Sequence, residues 1–353
     1  MGEKLTACVI NFNGERYVQH SLAAVRAQGE CVGEILLVDN ASADGGLELV
    51  RRRFPEVRIL VRPRNDGPAA ARNEGYQAAS YDRVLFLDND VVLAKDAVRR
   101  LSDALDRDPG AAIAVPRILY ANRPGVVQFD GADCHFLGGM VLHHAEWPDA
   151  DVPLATREIG SLGAGCVLVD RRRLRMAQPF DESFLFNYED HDFGVHARVT
   201  GHTILAVSSA RCHHLDGTPG LSMRPGGRYA PTRVYCLIRN RWLVLLKHYE
   251  WQTLLLLAPV LALYEVAQLG AVAGKGWLRE WGRAAGWTVR HLPAILERRR
   301  EVQRGRRIPD RELLACGPLP FRDELTSSAA ERGARRALDR ITGAYWRLVR
   351  PLV

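Results

Sequence analysis

None of the seven cysteines forms a CxxC pair, and their number is odd. Both facts argue against a disulfide framework and a zinc site, and they suit a reducing compartment. No apolar stretch long enough for a signal peptide precedes the first strand-like run in "MGEKLTACVINFN", so no cleaved leader is expected there. The chain has no GxGxxG after that run and no GxxxxGKS/T anywhere, which removes the main support for dinucleotide and P-loop sites. Internal repeats and low-complexity tracts are also missing. Excess positive charge is missing from most of the chain, which is neutral in sum outside one segment. Residues 275–311 hold 11 Lys and Arg against four Asp and Glu, which accounts for the whole net charge of +7. A nucleic-acid groove needs positive charge on the folded core as well. The expected partner of this segment is therefore a local anionic surface, and no nucleic acid.

The 353 residues suffice for two domains, or for one with a sizeable appendage, and 47% hydrophobic with 25% charged residues is ordinary for a folded protein. Short β-branched runs alternate with helical stretches. Strands are expected at 6–12, 34–40, 57–62, 83–90 and 111–115. Helices are expected at 15–28, through "GLELVRRRF", from Pro68 onward, and up to Pro109–Gly110. Such alternation implies an α/β, mostly parallel sheet covered on both faces. The rhythm breaks near Pro116. A strand running into a helix (163–174), an acidic aromatic loop leading into a helix near Asp190, and a strand at 203–207 follow. After Tyr229 the chain reads as helical. The expected division is 1–116 and 117–228 as two halves of one α/β domain, with 229–353 as a helical C-terminal extension.

Residues 253–274 form an apolar run of bilayer-spanning length. Pro259, Glu265 and Gln268 interrupt it, and the last two share a helix face. A single span would also put the basic segment opposite the side where positive charge belongs. A helix or hairpin lying in or dipping into the cytoplasmic leaflet meets both points. Basic side chains would sit on anionic headgroups, with Trp277, Trp281 and Trp287 at the interface. The alternative is a buried helix of an ordinary C-terminal domain.

Parallel sheets bind ligands beyond the carboxyl ends of their strands. Three strand ends are polar here: Asn11–Phe12–Asn13, Asp39–Asn40 and Asp88–Asn89–Asp90. Asp88 and Asp90 are two apart, so in extended backbone they point the same way. Two such carboxylates repel unless a cation joins them. Mg²⁺ and Mn²⁺ take oxygen ligands and commonly bridge to phosphates. The alternative is a strand ending in a solvated acidic turn.

The order of the motifs then resembles family 2 glycosyltransferases of the GT-A fold, the inverting group that uses nucleotide-sugars. The similar segments are "VINFNGERYVQHSLAAVRAQ", "ILLVDNASADGG", "RNDGPAAARNEGYQAA", "FLDNDV", "GAGCVLVDRRRL", "FDESFLFNYEDHDFGVHARVTG" and "HHLDGT". The resemblance runs over residues 6–218 and extends to the C-terminal segments of many bacterial members. It implies Asp190 as the base that deprotonates an acceptor hydroxyl. It implies Asp88, Asp90 and a histidine, one of His213 and His214 with His213 preferred by spacing to Gly217 and Thr218, as ligands of Mg²⁺ or Mn²⁺. Asp39, Asn11, Asn13 and Asp88 would meet the nucleotide, with Arg72 and Asn73 supporting the donor pocket. The implied donor is a UDP- or dTDP-sugar, with a deoxyhexose suggested by rhamnosyltransferase-like members. The implied acceptor is a lipid-linked compound or glycan of cell-surface polysaccharide. The implied location is the cytoplasmic face of the inner membrane, peripheral or monotopic, against an anionic membrane surface. The Q-x-x-R-W of processive synthases is missing, since "RNRW" supplies only Arg and Trp, which favours transfer of one sugar. The rivals are a sugar-1-phosphate nucleotidyltransferase, whose Gly-rich loop "NFNGERYVQ" does not supply, and a non-catalytic membrane-tethered nucleotide-sugar binder, which would not need the acids.

Overall fold

The computed structural model describes residues 3–163, 165–215, 229–318 and 328–353. In chain order the strands are β1 (Leu5–Asn11), β2 (Val32–Asp39), β3 (Arg58–Val61), β4 (Arg83–Asp88), β5 (Val91–Leu93), β6 (Ala111–Tyr120), β7 (Val127–Phe129), β8 (Ala132–His135), β9 (Met140–Leu142), β10 (Thr156–Glu158), β11 (Cys166–Asp170), β12 (Thr203–His214) and β13 (Leu314–Ala315). The helices are α1 (Val18–Arg26), α2 (Gly46–Arg53), α3 (Pro68–Ala78), α4 (Ala97–Arg107), α5 (Arg171–Leu174), α6 (Glu189–Val199), α7 (Pro231–His248), α8 (Trp251–Gly274), α9 (Leu278–Arg290), α10 (Leu292–Arg304), α11 (Asp310–Leu313) and α12 (Ala329–Val349). They fall into two compact units.

The first unit holds residues 3–132, 142–197 and 202–215. Its sheet runs β10-β12-β6-β11-β4-β1-β2-β3, with β5 beside β12 and β7 beside β6. The expected parallel order holds for β3-β2-β1-β4. Beyond β4 the sheet is mixed, because β11 enters antiparallel to both β4 and β6. Alternate residues of the inner strands feed different cores. Ala7, Val9, Leu85 and Leu87 pack on one face, and Cys8, Ile10, Val84 and Phe86 on the other. Each such buried Val or Leu contributes about 1.5–3 kcal/mol, which is why these strands read as unbroken apolar runs.

Three boundaries differ from expectation, each for a local reason. Helix α1 begins at Val18 because residues 14–17 form a turn in which Tyr17 and Val18 both donate to the Gly14 carbonyl at 2.8 Å. Strand β6 does not stop at Pro116 but runs on to Tyr120. Its partner β12 shifts register between Val207 and Arg211, next to the position facing Pro116, so the missing N–H is accommodated at an irregularity. Strand β4 ends at Asp88, and Asn89 and Asp90 turn the chain into β5.

The second unit holds residues 133–141, 198–201 and the described part of 229–353. It contains a three-stranded sheet, β13-β8-β9, and a set of helices. Trp346 of α12 stacks on Phe136 with ring centres 5.0 Å apart. Arg299 of α10 donates to the carbonyls of Leu246 and Tyr249 at the end of α7, at 2.8 and 2.6 Å. Ser328 and Glu331 cap the start of α12 reciprocally. Helix α8 is the one described helix long and apolar enough to cross a membrane. The three tryptophans expected at a lipid interface are half-buried and engaged within the unit. Trp281 meets Trp242 edge-on at 5.9 Å, Trp287 lies under the Arg239 guanidinium at 4.5 Å, and Trp277 neighbours Tyr229 at 6.3 Å.

Candidate functional site

All three polar strand ends lie in the first unit, and they are tied together by side chains. Asn11 and Asp39 are register partners on β1 and β2. The Asn11 amide donates to Asp39 Oδ1 at 2.7 Å, and its carbonyl accepts from the Asn89 amide at 2.8 Å. One buried asparagine therefore links the ends of β2 and β4. Gly14 closes over this link, since a Cβ there would stand 2.2 Å from both Asn11 Oδ1 and Asn89 Nδ2.

Asp39 is 1% exposed and also accepts from Ser42, from the backbone N–H at 3.0 Å and from the hydroxyl at 2.7 Å. Asn13, at φ 48°, donates its N–H to Ser42 Oγ and accepts from Ala43 N–H. These bonds fasten the loop after β1 to the loop after β2. Ser42 had no signal in the sequence beyond its place three residues after Asp39.

The three residues of Asp88–Asn89–Asp90 face three different partners. Asp88 Oδ1 accepts from Arg72 Nη2 at 2.7 Å, Asn89 reaches Asn11, and Asp90 Oδ2 lies 3.3 Å from His214 Nε2. Loss of hydration pushes Asp88 up to about 6, with the Arg72 charge opposing and the Asp90 charge adding. Two carboxylates so placed, with a histidine beside one of them, suit a hard divalent cation in their donor chemistry. Among the described residues no three His, Cys, Asp or Glu side chains are already gathered into a metal cluster. The histidine that reaches Asp90 is His214. His213, favoured by spacing, lies in the field of Asp149 and Arg211, and burial lowers its pKa. The two alternate along β12, opposite Val91 and Val92. Residues 216–218, used for that spacing, lie outside the described residues.

Helix α3 supplies the link to the other side of the site. Arg72 is 2% exposed, and its Nη1 donates to Glu189 Oε1 at 3.0 Å. Asn73 bonds the Phe180 backbone in both directions and donates to Glu182 at 3.0 Å, holding the loop that leads to α6. Asp190 is half-buried in the first turn of α6, and its Oδ1 accepts from the His191 N–H at 2.7 Å. Glu189, beside it, is pushed up to about 7 by burial, with the Asp190 charge adding and Arg72 opposing. The approach to α6 is strained: Leu185, Asn187 and Tyr188 all have positive φ. Gly67, at φ +91°, sits against this loop, where a Cβ would be 1.8 Å from the Leu185 carbonyl oxygen.

Residues 6–128 match the family model described as glycosyl transferase family 2. The N-acetylglucosaminyl-diphospho-decaprenol L-rhamnosyltransferase of Mycobacterium tuberculosis is 25% identical over 235 residues, 61% of this chain and 76% of that protein. The succinoglycan biosynthesis protein ExoO of Rhizobium meliloti is 33% identical over 150 residues, 42% of this chain. An uncharacterized glycosyltransferase of Haemophilus influenzae is 32% identical over 92 residues, 25% of this chain. The matches cover 40% of the Rhizobium protein and 37% of the Haemophilus one. Among solved structures, GalNAc-T7 with UDP, GalNAc and Mn²⁺ superposes with a TM-score of 0.55 at 14% identity, over 71% of this chain and 49% of that one. The shared fold is the GT-A type.

Proposed function

We propose that this chain, whose residues 6–128 form a glycosyl transferase family 2 domain, moves one sugar with inversion from a UDP- or dTDP-sugar to a lipid-linked or glycan acceptor. The observation that carries the reading is Arg72, which joins Asp88 at the end of β4 to Glu189 beside Asp190. A donor-side acid and the neighbour of the candidate base thus share one buried guanidinium. The Mycobacterium relative acts, by its name, on a diphospho-decaprenol acceptor, which supports a lipid-linked acceptor here, at the cytoplasmic face of a membrane. Residues 1–116 would form the donor half of the domain, 117–228 the acceptor half, and 229–353 the membrane-associating extension.

Asp39, set by Asn11 and Ser42, would meet the nucleotide, with Asn13 fixing the loop beside it. Asp88, Asp90 and His214 would hold Mg²⁺ or Mn²⁺, with further ligands from the phosphates. The bound cation would neutralise charge on the departing diphosphate. Asp190 would take the proton of the acceptor hydroxyl as that oxygen attacks the anomeric carbon from the face opposite the leaving group. Arg72 and Asn73 would keep the donor and acceptor sides in register.

The test is a thermal-shift screen of nucleotide-sugars with Mn²⁺ or Mg²⁺, followed by transfer assays. Asp190→Asn should lower the transfer rate by about 10²–10⁴-fold and leave donor binding intact. Turnover equal to wild type would remove Asp190 from the role of base.

A further inference from the structure

Glu265 stands in the middle of the apolar helix α8, and it faces α7. There Arg241 pairs with it, and Trp242 Nε1 donates to Oε1 at 2.9 Å. Arg241 is 3% exposed, and its guanidinium also lies 4.5 Å from the Tyr264 ring centre. Pulling α8 away from α7 to cross a bilayer alone would break this pair and leave the Glu265 carboxylate in lipid without Arg241 or Trp242. The polar edge of α8 is thus committed within its own unit.

The opposite edge is bare. Only 22% of the most apolar window of α8 is buried. Every exposed residue between 253 and 274 is apolar or glycine. Leu255 is 76% and Val266 70% exposed. Helix α12 and the turn that follows it lie alongside: Tyr345 donates to the Leu256 carbonyl at 2.7 Å, and Gln252 to that of Leu352 at 2.8 Å. Leu348 of α12 and Leu352 in the turn after it add to this face, 74% and 59% exposed. At 24 residues α8 is about 36 Å long, so this is a large apolar surface for a folded protein to leave open. After α8, helix α9 exposes Arg279, Arg283 and Arg290 together with Leu278 and Val289. Cations interleaved with aliphatic side chains are the composition of a helix at a lipid–water boundary.

We propose that the outward face of α8 and its neighbour on α12 seats in the plane of one leaflet of an anionic bilayer, held by the cations of α9, and does not cross it. Charge selects this occupant. A second copy of the chain would bring the same arginines toward each other, whereas anionic headgroups neutralise them. The inference rests on the membrane location in the proposed function. The assay contains neither donor nor acceptor, so failure to bind lipid and failure to transfer sugar are separate results.

The experiment is flotation of the full chain with vesicles of phosphatidylglycerol and phosphatidylcholine, against phosphatidylcholine alone. Binding should require phosphatidylglycerol, weaken as salt is raised, and be reversed by alkaline carbonate. Val266→Glu and Leu255→Glu should each weaken partitioning by about tenfold, with circular dichroism and melting unchanged because both sites are exposed. Arg279→Glu should weaken binding to anionic vesicles without touching α8. Absence of vesicle binding would overturn the proposal. So would carbonate-resistant binding, the mark of a span, or a dimer in light scattering that Val266→Glu splits while vesicle binding persists.

Discussion

Arg72 donates to Asp88 at 2.7 Å and to Glu189, 117 positions further along the chain than Arg72 itself, at 3.0 Å. The guanidinium is buried, so its two carboxylates depend on it for compensation. Arg72→Ala should cost about 3–5 kcal/mol of stability, the usual result of breaking a buried pair. Arg72→Lys should fold better but transfer poorly, because an ammonium cannot reach two carboxylates with a planar fork. Urea denaturation and transfer rates of the two variants check this. A lysine variant with wild-type turnover would show that charge alone suffices.

Glu189 gives the site a pH signature. Burial raises its carboxyl from 4.5 to about 7, so the folded state holds a proton that the unfolded state releases. For a raised carboxyl the favourable contribution is complete below the unfolded value and is lost as pH rises through the folded value. The protein should therefore lose stability between about pH 4.5 and 7 beyond what Glu189→Gln loses. The amide carbonyl can still accept from Arg72 and carries no charge to bury. Urea midpoints of both proteins across that range decide it, and parallel curves would mean Glu189 is ionised throughout.

The strand ends of the candidate site were legible because their signals are local. An apolar run that stops at a carboxylate marks a strand end, and repeated strand–helix alternation orders those ends along one edge. Asp39 and Asp88 were readable on that basis. The antiparallel entry of β11 was not, since nothing in "CVLVD" distinguishes a parallel from an antiparallel buried strand. The partner of Asp88 was invisible for another reason. Arg72 looks like any arginine on a helix until α3 packs on β1 and β4. The choice between His213 and His214 depends on the register shift between Val207 and Arg211, which spacing to later residues does not report.

Gly67 should be intolerant of any side chain. Its φ of +91° disfavours a Cβ, and the Leu185 carbonyl oxygen occupies the space that the Cβ needs. Gly67→Ala should cost about 1–3 kcal/mol from backbone strain alone. It should also displace the 185–188 loop that leads into Glu189 and Asp190, lowering the transfer rate more than donor affinity. Melting temperature, donor binding and turnover measured together test this. An unchanged melting temperature would place the loop elsewhere in solution.

The histidines provide the sharpest test of the cation site. His214 lies 3.3 Å from Asp90, whereas His213 answers to Asp149 and Arg211 on the other side of β12. His214→Gln should raise the Mn²⁺ concentration needed for half-maximal donor binding by about tenfold, the loss of roughly 1.4 kcal/mol. Asp90→Asn should do the same or more, because it removes a charged oxygen ligand. His213→Gln should leave the Mn²⁺ dependence unchanged. Titrating Mn²⁺ against donor binding for the three variants separates the cases. If His213→Gln alone shifts the curve, the cation is held on the other face of the strand. If none does, donor binding does not run through a cation at Asp90.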